Sequence, residues 1–245
     1  MCKSFIKFVV LMIVLVLCFS FVSCSDNSKE PASDNAHDFY IKINDEPVDK
    51  SYIGYFFSIA QRNMLEEAGW QTGSGGNATE DDINQYWKTT KIDGKEAVYA
   101  ARDLAADNAV RQKIQYYKAI EEGITLSDEE KEGINSQLET TVANNGGEAE
   151  FAKALESMNT DLAAYSQIIT ENVYAQKLYD KYDSMDKFLL TDAELNEFAT
   201  ANADKFAPDE MYDAAKKQKY NDMITQWEKD FNIEINDSKM NEFDV

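Results

Sequence analysis

Apolar residues recur three or four positions apart along most of the chain, which is the spacing that buries one face of an α-helix. Capping boxes, in which a Ser or Thr is followed three residues later by Glu, mark helix starts at Ser127 and Thr191. The predicted helices are one capped by Asp49 that ends near Gly69, a short piece around Tyr86 and Trp87, a long helix between Gly94 and Gly123, one from Ser127 to about Asn145, a short one around Phe151 and Leu155, one starting at Asp161, one from Thr191 to about Phe206, and a last one with Pro208 in its first turn.

Two short segments alternate apolar and polar residues instead, which is typical of strands. They are residues 40–43, followed by a turn at 44–47, and residues 231–236. Because isolated short strands are marginal in water, we expect these two to pair with each other. Residues 70–83 are predicted to form a loop. The predicted fold is therefore all-α, with one small two-stranded pairing of the N- and C-terminal strands.

The first segment of the chain has the pattern of a secretory signal. Two lysines precede an apolar run from Phe8 to Val22, which is shorter than the roughly 20 residues that a membrane span needs. Residues 21–24, Phe-Val-Ser-Cys, resemble the lipobox of bacterial lipoproteins. We expect residues 1–23 to be a lipoprotein signal and Cys24 to carry the lipid; a plain signal peptide and an uncleaved anchor are the alternatives.

The sequence after Cys24 predicts a tether, a domain and a tail. Residues 24–39 are rich in Ser, Asp and Asn and almost free of apolar side chains, which favours a flexible tether. Residues 40–236 form the predicted domain, and 237–245 an acidic tail. The expected location is extracytoplasmic, with contact to the bacterial membrane through the lipid alone.

The charge of the chain restricts its partners. With 24 basic and 45 acidic residues, the net charge is −21, and phosphate binding requires the opposite sign. Nucleic acid is therefore excluded as an expected partner. The chain has three cysteines, and cleavage before Cys24 would leave only that one, so no disulfide or cysteine zinc site is expected.

Motifs for catalysis, metal binding and cofactor binding are not apparent. The one histidine, His37, lies in the tether, where nothing would hold it beside a nucleophile. The glycine-rich stretch at 73–76 lacks the Lys-Ser or Lys-Thr of a phosphate loop, and the acidic runs lack EF-hand spacing. No catalytic residue, metal ligand or cofactor is predicted, and with 45 acids no glycosidase pair can be singled out.

Aromatic residues that are adjacent on a predicted helix cannot all face one core, because neighbours point about 100° apart. Some of them should therefore be available to bind apolar side chains of another polypeptide. The alternative is that they pack the helices together. The candidate client-binding residues are Tyr52, Tyr55, Phe56, Phe57, Tyr116 and Tyr117.

Four segments in order resemble the SurA N-terminal domain family, which includes periplasmic SurA-type chaperones and PrsA-type foldase lipoproteins. The segments are 41–48, IKINDEPV; 121–130, EEGITLSDEE; 147–158, with Phe151 and Leu155; and 190–206. None of the four segments is specific to the family by itself, but together, in this order, they span nearly all of residues 40–236. The resemblance implies a mainly helical chaperone domain that binds unfolded or newly exported polypeptides.

One departure from that family concerns enzymatic activity. In PrsA-type foldases a parvulin-type isomerase domain follows the helix that here ends near Phe206, whereas this chain continues directly into its last helix. The resemblance therefore implies an isomerase-free holdase, which is not an enzyme. The alternative hypothesis is a structural or scaffolding envelope lipoprotein that binds one specific partner.

Overall fold

The computed structural model describes residues 38–70 and 78–244, and its described part is mainly helical, as the sequence predicts. The predicted signal segment 1–23, Cys24, His37 and the glycine-rich stretch at 73–76 lie outside the described residues. The described helices are α1 (Lys50–Glu67), α2 (Glu80–Thr89), α3 (Ala97–Glu121), α4 (Asp128–Asn144), α5 (Glu148–Glu156), α6 (Leu162–Ser184), α7 (Asp192–Ala201), α8 (Met211–Trp227), a 3₁₀ turn (Glu228–Asp230) and α9 (Asp237–Met240).

Side-chain caps set most helix starts. The Asp49 side chain accepts a hydrogen bond from the Ser51 N–H, and the capping boxes predicted at Ser127 and Thr191 are confirmed. A third capping box, formed by Thr79 and Asp82, begins α2. The predicted loop at 70–83 is therefore too long, because this cap starts the helix at Glu80.

Two predicted boundaries around α7 are wrong. The helix stops at Ala201 and does not continue to Phe206. At its end, the side chain of Asn202 donates a hydrogen bond to the Phe198 carbonyl. Pro208 is not in the first turn of the helix that follows it, α8, which begins at Met211. Residues 207–210 form a separate turn, closed by the Glu210 N–H on the Ala207 carbonyl.

The predicted pairing of the terminal strands is confirmed and a third strand joins it. Strand β1 (Ile41–Ile43) pairs antiparallel with β5 (Ile233–Ile235), with Ile41 opposite Ile235. It also pairs with β2 (Glu46–Val48) across a two-residue turn at Asn44 and Asp45. The turn expected at 44–47 is thus shorter than predicted, because both of its residues adopt the positive φ of a tight hairpin turn.

A second hairpin precedes α3. Strands β3 (Lys91–Ile92) and β4 (Lys95–Glu96) pair antiparallel across Asp93 and Gly94, which again both have positive φ. An Asp-Gly pair is a strong hairpin signal, so the sequence contained this information.

The apolar core has two main parts. The larger surrounds α1 and α3 and includes β1, α2, α8 and the end of the chain; the smaller lies between α4, α5 and α6, around Phe151, Leu155 and Tyr165. Tyr55 on α1 packs against both. No helix in the described ranges is long and apolar enough to span a membrane.

The segment 237–244 belongs to the domain and is not a separate acidic tail. Met240 and Phe243 are buried in the larger core, and the Arg102 side chain donates to the Phe243 carbonyl at 2.8 Å and to Asn241 Oδ1 at 2.9 Å. The acidic residues of this stretch predict a solvated tail, but the buried side chains of Met240 and Phe243 hold it against the core. The domain therefore extends to residue 244.

Candidate functional site

Two of the six candidate client-binding residues are part of the core. Tyr52 and Phe57 on α1 are both 0% exposed, and the Phe57 ring lies 5.4 Å from that of Phe243. Neither side chain can contact a client in this structure. The prediction is corrected for these two residues, because their face of α1 packs on α3 and on the C-terminal segment.

Tyr55 and Phe56 are half-buried on a neighbouring face of α1. Their rings meet edge to face at 5.4 Å, and Tyr55 also lies 6.0 Å from the ring of Tyr165 on α6. Burial raises the pKa of Tyr55 and raises that of Tyr165 to about 12. These contacts join α1 to the smaller core, so packing accounts for most of the surface of both side chains.

Tyr116 and Tyr117 are half-buried on α3, next to the C-terminal segment. Tyr116 meets Tyr174 of α6 edge to face at 5.2 Å, and Tyr117 stacks on Phe231 at 5.9 Å. Burial raises the pKa of both tyrosines, and the charge of Glu171 adds to the effect. The structure therefore places the six candidates on α1 and α3, but not on one continuous exposed surface.

A buried ion pair lies between these aromatic groups. Lys113 on α3 and Glu171 on α6 are 7% and 2% exposed, and their Nζ and Oε1 atoms are 2.6 Å apart. Gln167 also donates to Oε1, at 2.9 Å, and the Tyr52 hydroxyl donates to Oε2 at 2.6 Å. Lys113 Nζ further lies 4.3 Å from the centre of the Tyr52 ring. Sequence analysis did not identify this network, because Lys113 and Glu171 are 58 residues apart.

The electrostatics of this network favour a structural role. Burial raises the pKa of Tyr52 well above its usual value, and the Glu171 carboxylate raises it further, so the hydroxyl remains a donor. Both oxygens of Glu171 already accept hydrogen bonds from protein side chains. The network thus joins α1, α3 and α6, and three protein donors already bond to the Glu171 carboxylate.

Half of the eight exposed large apolar residues in the described ranges lie in another segment, and they include the two most exposed, Leu189 and Met185. Met185 is 52% exposed, Leu189 63%, Phe206 37% and Tyr212 39%. All four lie in the segment 185–212, which runs from the end of α6 through α7 into the first turn of α8. We refer to residues 185–212 as the α7 arm.

The α7 arm is anchored to the body by Phe188, whose fully buried ring packs on those of Tyr179 and Tyr220 at 5.0 and 5.3 Å. None of the residues of α7 is buried, and its Phe198 ring stacks on Phe206 at 5.9 Å. Lys219 of α8 holds the arm by donating to the Leu189 carbonyl at 2.8 Å and to Glu194 at 3.0 Å. Hydrogen bonds from the Thr191 backbone and then from Lys219 lower the pKa of Glu194 to about 2. An ordered, largely unburied helix is thereby displayed beside exposed apolar side chains.

Acidic residues outnumber basic residues in the arm. Its basic residues are Lys187 and Lys205. Its acidic residues are Asp186, Asp192, Glu194, Glu197, Asp204, Asp209 and Glu210. The arm therefore combines exposed apolar surface with a negative potential, which favours an apolar ligand that carries positive charge.

The sequence contained a signal for this arm. Apart from alanines, the only apolar residues of α7 are Leu195 and Phe198, which is too narrow a stripe to bury a helix face. Such a helix contributes little to a core.

Among the described side chains, no three of the types His, Cys, Asp and Glu are grouped so as to hold a metal ion.

The chain matches no protein-family model, no curated protein and no solved structure.

Proposed function

We propose that this protein is an extracytoplasmic, membrane-anchored holdase that binds unfolded or newly exported polypeptides. The observation that carries the proposal is the α7 arm, with Met185, Leu189, Phe206 and Tyr212 exposed on an ordered segment. Exposed apolar groups that cluster on one part of a protein commonly mark an interaction surface. The half-buried Tyr55, Phe56, Tyr116 and Tyr117 are secondary candidates for client contact.

The proposed mechanism is reversible burial of client side chains, without ATP. Each apolar side chain that is fully covered contributes about 1.5–3 kcal/mol, and the half-exposed ones on the arm contribute less. Methionine and tyrosine adapt to varied shapes, which suits clients of unrelated sequence. The acidic surroundings favour clients whose apolar segments are flanked by Lys or Arg.

Anchoring and location follow from the lipobox-like sequence that ends at Cys24. A diacylated cysteine is a sufficient tether, whereas one acyl chain holds only weakly. The order of segments that resemble the SurA N-terminal domain supports the same class of function.

The proposal includes no isomerase step. An isomerase domain would occupy about 100 residues, whereas α7 and α8 are joined by residues 202–210 alone. We therefore expect clients to be held and released without catalysed proline isomerisation.

The test is aggregation suppression with several unrelated denatured proteins, using the chain from residue 24 with Cys24→Ser. We expect suppression at near-stoichiometric ratios, and a marked loss in the Met185→Ser, Leu189→Ser double variant. The control, Leu104→Ser with Ile120→Ser, removes two exposed apolar residues outside the arm and should keep the activity. Activity toward no denatured protein would refute the holdase and favour a scaffold with one fixed partner, to be sought by crosslinking in the envelope.

A further inference from the structure

The register of the small sheet determines which backbone groups face outward from β5. In an antiparallel ladder, opposite residues alternate between pairs that exchange hydrogen bonds and pairs that do not. The Asn44 N–H donates to the Asn232 carbonyl, and the Asn236 N–H to the Tyr40 carbonyl. The intervening hydrogen-bonded pair is therefore Lys42 with Glu234. The N–H and C=O groups of Ile233 and Ile235 consequently point away from β1, toward the open side of β5.

These outward groups form an open sheet edge. No residue in the described ranges forms a hydrogen bond with the outward N–H or C=O of Ile233 or Ile235. The opposite edge differs, because the residue of β2 whose backbone faces outward is Pro47, which has no N–H. An additional strand could therefore pair with β5 but not in the same way with β2.

The side chains on this edge are suited to an apolar strand. Ile233 and Ile235 share a face of the sheet with Ile41 and Ile43, which are completely buried. Ile235 is 45% exposed, so the apolar face continues past the covered core and ends at the open edge. A strand docked there would cover Ile235 with its own alternate side chains.

The surroundings favour a basic partner. Asp230, Glu234 and Asp237 lie on or beside β5; Asp230 pairs with Lys118 at 3.5 Å, and Lys42 lies opposite Glu234. Phe231, immediately before the strand, stacks on Tyr117, one of the candidate client-binding residues. The open edge is thus next to aromatic surface, and the three acids near it outnumber the two lysines.

We propose that β5 binds an extended segment of a client as a fourth strand, a segment with alternating apolar side chains and with Lys or Arg at its ends. This inference rests on the proposed holdase function and specifies how part of a client is held. Pairing through the main chain requires no particular client sequence, which suits a protein that binds many clients.

The test uses a short peptide of alternating valine and threonine with paired lysines at both ends, added to the unmodified chain from residue 24. Amide hydrogen exchange, followed residue by residue by NMR, should slow at least about tenfold at Ile233 and Ile235 when the peptide saturates the protein. The same peptide with N-methyl groups on alternate residues cannot complete the ladder and should leave both amides unchanged.

Two variants separate the backbone from the side chain. Ile235→Pro removes an N–H that points outward, so the β1 ladder remains, and it should weaken peptide binding about tenfold. Ile235→Thr keeps the N–H and should weaken binding only about threefold. Thermal unfolding of each variant checks that the fold is intact.

The outcomes distinguish this inference from the proposed function. Suppressed aggregation without protection of these two amides would refute the strand docking and leave the holdase standing. Protection of both amides without aggregation suppression would support the docking site and refute the holdase. Neither peptide binding nor suppression would refute both.

Discussion

At the scale of single residues, the buried pair of Lys113 and Glu171 carries the largest expected effect on stability. Removing two charges from water is costly, and the cost is offset here by a direct ion pair and by donors from Tyr52 and Gln167. Removing one partner leaves the other charge buried without compensation. The pair therefore stabilises the fold only while both partners are present.

Glu171→Gln should lower the free energy of unfolding by about 3 kcal/mol, because Lys113 then stays buried without its counter-charge. Urea unfolding measures the loss. The matched control is Glu150→Gln in the exposed pair with Lys153, which should change stability by less than about 1 kcal/mol. Equal effects of the two substitutions would show that Lys113 is not held by Glu171.

Tyr165 should make the protein less stable in alkali. Its folded-state pKa of about 12 lies above the usual value of 10. The contribution of its protonated hydroxyl to the free energy of unfolding is therefore complete below pH 10 and falls as the pH rises toward 12. The loss at pH 11 relative to pH 8 is about 1 kcal/mol from this residue. Tyr165→Phe should reduce the measured pH dependence by that amount. Phe151→Leu, which alters packing against the same ring, should retain it.

At the scale of elements, the contact between α1 and the turn after α5 depends on the absence of a side chain. A Cβ atom at Gly54 would lie 1.9 Å from the Asn159 carbonyl oxygen, whereas one at Gly133 on α4 would meet nothing within 4 Å. Both glycines are within helices. The two positions form a matched pair.

Gly54→Ala should destabilise the protein by at least about 2 kcal/mol, because the helix must move away from the turn. Gly133→Ala should stabilise it by about 0.5–1 kcal/mol, since alanine is the better helix former and the site is open. Thermal unfolding of both variants is the measurement. A tolerated alanine at Gly54 would contradict the close packing of α1 on Asn159.

The elements that could be predicted are those with local signals. Ser127 and Thr191 cap their own helices, and the alternation around Ile43 and Ile233 is sufficient to identify two strands. Their pairing followed from the instability of isolated strands. The end of α7 and the turn around Pro208 were missed because a proline fits the first turn of a helix and a tight turn equally well.

At the scale of the whole molecule, the candidate site was predicted less well than the fold. Periodicity shows that the adjacent residues Tyr55, Phe56 and Phe57 point in different directions from α1, but it does not show which faces of α1 other helices cover. That depends on α3 and on the C-terminal segment, which are distant in sequence. For the same reason the α7 arm was not identified, although its narrow apolar stripe is visible.

The most direct test of the proposed function is equilibrium binding of the chain from residue 24, with Cys24→Ser, to several unrelated, permanently unfolded proteins. We expect dissociation constants in roughly the micromolar range for all of them. The Met185→Ser, Leu189→Ser variant should bind at least about tenfold more weakly, with the Leu104→Ser, Ile120→Ser control unchanged. Absence of binding, or equal binding by both double variants, would contradict the assignment of the α7 arm as the client-binding surface.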